Sequence, residues 1–203
     1  LKWRHELQAD EPSRTEALQL VSNDRAICGH RHDPYAFLKL AAAPEILDLY
    51  AELTQARTQG DPQKLIRILE DIDRQFPGYP VVSNDLGAVY CQTGELEKAL
   101  SCYRRAHERD SLNSNYAKNL ADLLYFAMGD VESAASIYRQ VLESDPNDIE
   151  ALLAFAHISQ SMGHNADAQY FLAKVLELDP SNENAQQMVA AHSPSAGALI
   201  STK

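Results

Sequence analysis

The chain has 203 residues, 45% of them apolar, enough to bury a sizeable core as one repeat array or about one and a half average domains. Its 18 basic and 29 acidic residues leave a formal charge of −11, the wrong sign for the counterion release that drives nucleic-acid binding. Three cysteines at irregular spacing, Cys28, Cys91 and Cys102, make no disulfide framework, and no apolar run approaches the roughly 18 residues that span a bilayer. A reducing, cytoplasmic setting is the expectation. The chain opens on Leu1, and residues 1–10 lack the basic-then-apolar layout of a secretion signal, so a mature form or an excised piece is expected.

In chain order, residues 1–45 form an amino-terminal segment. Ser13-Arg14-Thr15-Glu16 spells a capping box ahead of Ala17, Leu18, Leu20 and Val21, which predicts a short helix. Residues 23–32 read as a loop, and Asp33-Pro34 opens a second predicted helix over 35–42, with Phe37, Leu38 and Leu40 available for burial. This pair is expected to pack as a cap on the first of the units that follow.

From residue 46 onward the chain has a period. Gly60, Gly94, Gly129 and Gly163 recur at steps of 34, 35 and 34, and Asp145-Pro146 and Asp179-Pro180 also lie 34 apart. Each glycine separates two helix-length stretches with apolar residues at steps of three and four, as in Leu96, Ala99, Leu100, Tyr103 and Ala106. Pro62 and Pro80 stand where a helix should begin, and the glycines stand just past first-helix ends, where a left-handed residue costs least. Four units follow at 46–79, 80–113, 114–148 and 149–182. The third has one residue too many between Asn119 and Gly129, which must bulge its first helix or lengthen its turn. Residues 183–191 suit a final capping helix with Met188 and Val189 buried, and 193–203 suit a flexible tail.

These residues resemble the tetratricopeptide repeat family. Residues 80–113 carry Leu86-Gly87, Tyr90, Gly94, Ala99, Tyr103 and Ala106, with Ser83 and Ser111 in place of the consensus tryptophan and proline. Residues 149–182 carry Leu152, Phe155-Ala156, Gly163, Ala168, Leu172, Val175 and Pro180. The expected fold is all-α, an α-solenoid of antiparallel helix hairpins wound as a right-handed superhelix. Within a hairpin, Gly87 is expected to face Ala99, and Ala121 and Ala156 to face Ala134 and Ala168, while Tyr90, Tyr103, Tyr138 and Phe155 fill the space between hairpins.

The resemblance implies a peptide-binding groove lined by first helices. Its lining is expected to include Tyr50, Thr54 and Arg57 in the first unit and Asn84, Ala88 and Cys91 in the second. The third adds Lys118, Asn119 and Asp122, with Phe126 beside them, and the fourth adds Leu153, His157 and Gln160. Asn84 and Asn119 are singled out because an amide both donates to and accepts from a peptide backbone. The family's carboxylate clamp of Lys, Asn, Asn, Lys and Arg is not matched: its positions hold Asn84, Ala88, Asn119, Glu150 and Ala154. With Asp85, Asp122 and Glu150 nearby, a neutral or basic protein segment is the expected partner, with no nucleic acid and no membrane span.

Other chemistry has little support in the residues. Cys28, His30, His32 and Asp33 are zinc-ligand types without a second ligand pair at the usual spacing, so a capping loop is expected and neither metal nor cofactor. No G-x-S-x-G, H-E-x-x-H or glycine-rich phosphate loop occurs, so no catalytic residue is assigned. The reading is a non-catalytic protein-interaction scaffold. Two alternatives stay open: a substrate-positioning region of a larger glycosyltransferase or methyltransferase, and a module that self-associates into homo-oligomers.

Overall fold

The computed structural model describes Tyr35 and residues 44–192. The first predicted helix, the Cys28–Asp33 loop, the second predicted helix beyond Tyr35 and the predicted tail lie outside the described residues. Every regular element described is helical: α1 (Pro44–Gln59), α2 (Pro62–Gln75), α3 (Pro80–Gln92), α4 (Leu96–Arg109), α5 (Ser114–Asp122), α6 (Val131–Ser144), α7 (Ile149–Ser161), α8 (Asn165–Leu178) and α9 (Glu183–His192). The architecture is all-α, an α-solenoid of helix hairpins. It divides into two compact units after Ala134, inside α6.

In the first unit each helix packs on the next, from α1 through α5. First helices α5 and α7 start on short polar side chains, whereas α3 starts after Tyr79 with Pro80 in its first turn and no side-chain cap. Asn113 Oδ1 accepts from the Asn115 amide at 3.1 Å to cap α5. In the second unit Asp148 Oδ1 accepts from the Ala151 amide at 2.9 Å to cap α7. Such caps satisfy backbone donors that the helix leaves unpaired. Second helix α2 is capped by Asp61 with Pro62 at its first position, whereas α4 and α8 begin without a side-chain cap.

The turns between paired helices follow the glycine frame. Gly60, Gly94, Gly129 and Gly163 have φ of 65°, 78°, 69° and 75°, a left-handed conformation that strains any residue with a Cβ. At Gly94 the Glu95 amide bonds back to the Tyr90 carbonyl (2.9 Å), and at Gly163 the His164 amide bonds to Ser159 (2.8 Å), five residues back in both. In the third repeat the equivalent bond runs six residues back, from Asp130 to Leu124 (2.8 Å). The surplus residue is absorbed as a bulge: α5 continues as one π-helical turn over Leu123–Ala127, with the Met128 amide bonded to the Leu123 carbonyl at 3.2 Å.

Packing departs from expectation at Gly87. A Cβ there would lie 2.6 Å from Tyr103 Cδ1, so the glycine makes room within its own hairpin for the Tyr103 ring, which the expectation placed between hairpins. Ala99, Tyr103 and Ala106 are all fully buried. Ser83, which stands for the consensus tryptophan, is buried and accepts from Arg105 Nε at 2.9 Å, while Arg105 Nη2 pairs with Asp73 at 2.8 Å. A polar link across α2, α3 and α4 thus takes the place of an indole. Tyr90 is buried and donates from its hydroxyl to Glu70 on α2 at 2.6 Å.

In the second unit Leu152, Ala156, Leu172, Val175 and Ala185 form the core, with Leu142, Phe171 and Met188 packed against it. Phe155 is only half buried, stacked on Phe171 at 5.3 Å and edge-on to Tyr138 at 6.4 Å. Met188 covers the core as expected of a cap, but Val189 is exposed, because α9 packs through Ala185 and Met188, three residues apart on one face.

Candidate functional site

The expected groove positions do not share one environment. In α3, residues Val81 through Cys91 are buried on every side, including Asn84, Asp85, Ala88 and Cys91. In α5, Lys118, Asn119 and Asp122 are buried as well. Of the α1 positions, Tyr50 and Arg57 are half buried and Thr54 is exposed, its hydroxyl donating to the Tyr50 carbonyl at 3.0 Å. In the second unit Leu153 and Gln160 are half buried and His157 is exposed. Phe126 is half buried, edge-on to Tyr125 at 4.8 Å.

The structure ties the first-unit positions into a polar row across three first helices. Asn119 on α5 donates from Nδ2 to Asn84 Oδ1 on α3 at 2.8 Å. Arg57 on α1 forms an ion pair with Asp85, using the Oδ2 atom. Asn84 Nδ2 lies 3.5 Å from the other carboxylate oxygen, Asp85 Oδ1. The two asparagines singled out for backbone reading therefore hold each other. Asn119 Oδ1, fully buried, finds no hydrogen-bond partner among the described residues.

The sequence reading missed Tyr35. It stands in a turn, fully buried, and donates from its hydroxyl to Asp85 Oδ2 at 2.8 Å, with the Arg57 guanidinium 4.7 Å from its ring centroid. Fifty residues separate the two hydrogen-bonded partners, and nothing in the local pattern around Asp33-Pro34 marks the tyrosine as a contact of α3. Burial raises the Asp85 carboxyl above the ordinary range, opposed by the Arg57 charge and by its hydrogen bonds. Burial, reinforced by the Asp85 charge, also pushes the Tyr35 phenol well up, so it stays a donor.

Cys91 and Cys102 are not poised for chemistry. Burial pushes the Cys91 thiol to about 12 and the Cys102 thiol to about 11, far from the thiolate form that attacks electrophiles or binds metal. Among the described residues no group of His, Cys, Asp and Glu side chains is arranged to hold a metal ion. No helix among them is long and apolar enough to cross a membrane.

Two family models, both described as tetratricopeptide repeat, match residues 80–147 and 125–191, which together span more than half of the chain. The chain belongs to the tetratricopeptide repeat family. Solved structures agree on the fold. MamA superposes with a TM-score of 0.61 at 18% identity, over 68% of this chain and 80% of its own. A tetratricopeptide repeat protein from Parabacteroides merdae gives 0.64 at 22% identity, over 77% of this chain and 58% of its own. A thermophilic repeat protein of Thermus thermophilus gives 0.58 at 20% identity, over 77% and 87% respectively. No curated protein matches the chain. Tetratricopeptide repeats are protein-interaction scaffolds, and this chain carries such a scaffold.

Proposed function

We propose that the chain captures an extended segment of a protein partner on the first-helix face of α1, α3 and α5, without a chemical step. The observation that carries this is the row Arg57, Asp85, Asn84, Asn119. Burying a carboxylate and two amides is less favourable than burying apolar side chains of the same volume, so their cost to folding calls for another use. A row of amides and charges spanning successive helices suits a peptide backbone, whose donors and acceptors recur whatever its sequence.

The charge balance refines the partner. Asp85 is engaged by Arg57, and Lys118 lies on the same turn of α5 as Asp122, so this face supports a neutral segment rather than a strongly basic one. The acidic chain as a whole disfavours nucleic acid. A pull-down comparing the intact protein with Asn84→Ala plus Asn119→Ala tests the reading, with circular dichroism to verify folding. Loss of the same partner from the folded variant is the expected result. An unchanged partner set moves the binding surface off this face and refutes the reading.

A further inference from the structure

The same register positions differ sharply in access between the repeats. Asn84, Asp85, Ala88 and Cys91 on α3 are all buried, whereas Leu153, Ala154, His157 and Gln160, which stand at the same places in α7, are half buried or exposed. No partner can touch the α3 positions while they are covered. Of the described residues outside the repeats, the one lying there is Tyr35, which is fully buried and bonded to Asp85.

We infer that Arg57, Asn84 and Asp85 form a recognition site for a tyrosine side chain in an extended peptide, occupied in the free protein by the chain's own Tyr35, and that a partner binds by displacing it. The inference rests on the peptide-capture reading and names the side chain that capture requires. The contacts specify a phenol. The guanidinium of Arg57 over the ring selects an aromatic face, and Asp85 Oδ2 at 2.8 Å selects a hydroxyl donor. Phenylalanine would satisfy the first and leave the buried carboxylate short of a donor, the kind of loss that polar sites discriminate most strongly. Phosphotyrosine would set a second anion against Asp85 and is rejected. One bond further along the row, the buried Asn119 Oδ1 has no partner among the described residues, which leaves an acceptor for a backbone N–H of the bound segment.

The test uses a fluorescein-labelled peptide with the sequence of residues 31–39, RHDPYAFLK, added to the full chain as wild type, Tyr35→Ala and Tyr35→Phe. Removing the internal occupant should tighten probe binding by about tenfold or more in Tyr35→Ala, since a site occupied in cis loses apparent affinity in proportion to its occupancy. Tyr35→Phe, which keeps the ring and deletes only the hydroxyl, should fall between wild type and Tyr35→Ala, and serves if the alanine variant does not fold. A probe with phenylalanine or phosphotyrosine at the central position should bind the folded variant at least about tenfold more weakly. Equal binding to wild type and Tyr35→Ala, no binding to any of them, or indifference to the probe's hydroxyl overturns the inference. The pull-down through Asn84 and Asn119 is read separately. If it succeeds while the probe does not discriminate, Tyr35 is a structural residue and capture stands without it.

Discussion

Helices α3 and α7 open the second and fourth copies of one repeat, yet they use it in opposite ways. α3 is buried around its whole circumference and carries Ser83, Asn84 and Asp85 inside, each held by hydrogen bonds. α7 buries Ala151, Leu152, Ala156, Ile158 and Ser159 and leaves His157 exposed, with partial desolvation of the imidazole lowering its pKa. The repeat pattern sets which residues meet the paired helix. At Asp85 the other face meets a residue outside the repeat, Tyr35. Identical helical frames therefore do not imply identical surfaces.

The largest expected effect lies in the aromatic packing that both units share. Tyr103→Ala removes a fully buried ring from the first unit and should cost about 3–5 kcal/mol, measured by urea unfolding followed by circular dichroism. Phe155→Ala, at the half-buried ring of the second unit, should cost distinctly less. Equal losses would show that the two hairpins depend equally on their aromatics.

Next comes the polar row. Asp85→Ala strands the Tyr35 phenol and the Arg57 guanidinium, and because Arg57 keeps access to water the expected loss is roughly 2–3 kcal/mol, below the range for a fully buried pair. His157→Ala, at the α7 position matching Ala88, should change stability by no more than about 0.5 kcal/mol. A large loss at His157 would erase the distinction between a filled face and an open one.

Alkaline pH provides a graded contrast, because all three cysteines of the chain precede residue 135. Burial raises the folded thiols to about 12 at Cys91 and about 11 at Cys102. A raised folded value means the folded state keeps its proton longer than the unfolded chain. Their contribution is full below the ordinary thiol value of about 8.5 and is lost as pH climbs through the folded values. Urea midpoints should therefore fall as pH rises above about 8.5, and Cys91→Ala should flatten that decline. A decline of unchanged steepness in the variant would assign it to other groups, such as Tyr116, whose phenol burial raises to about 12.

Much of the frame was legible because it is local. A glycine at a left-handed turn and a proline at a helix start each follow from the conformations of one residue, and the extra residue before Gly129 was countable before its π turn was seen. The replacement at Ser83 was visible only as a missing tryptophan. That Arg105 and Asp73 supply a polar link in its place depends on side chains from two other helices arriving within hydrogen-bonding distance. Gly87 was read as a small residue needing close approach, which is right in kind, but the ring it admits was assigned to another gap.

The sequence by itself determined the all-α repeat architecture, because turn glycines, capping side chains and apolar spacing act within one hairpin and recur every 34 or 35 residues. The tertiary structure alone decided that Asn84 bonds Asn119 and that Tyr35 bonds Asp85. These partners are 35 and 50 residues apart, so their meeting depends on how helices stack and where the preceding chain comes to rest, which no local spacing encodes.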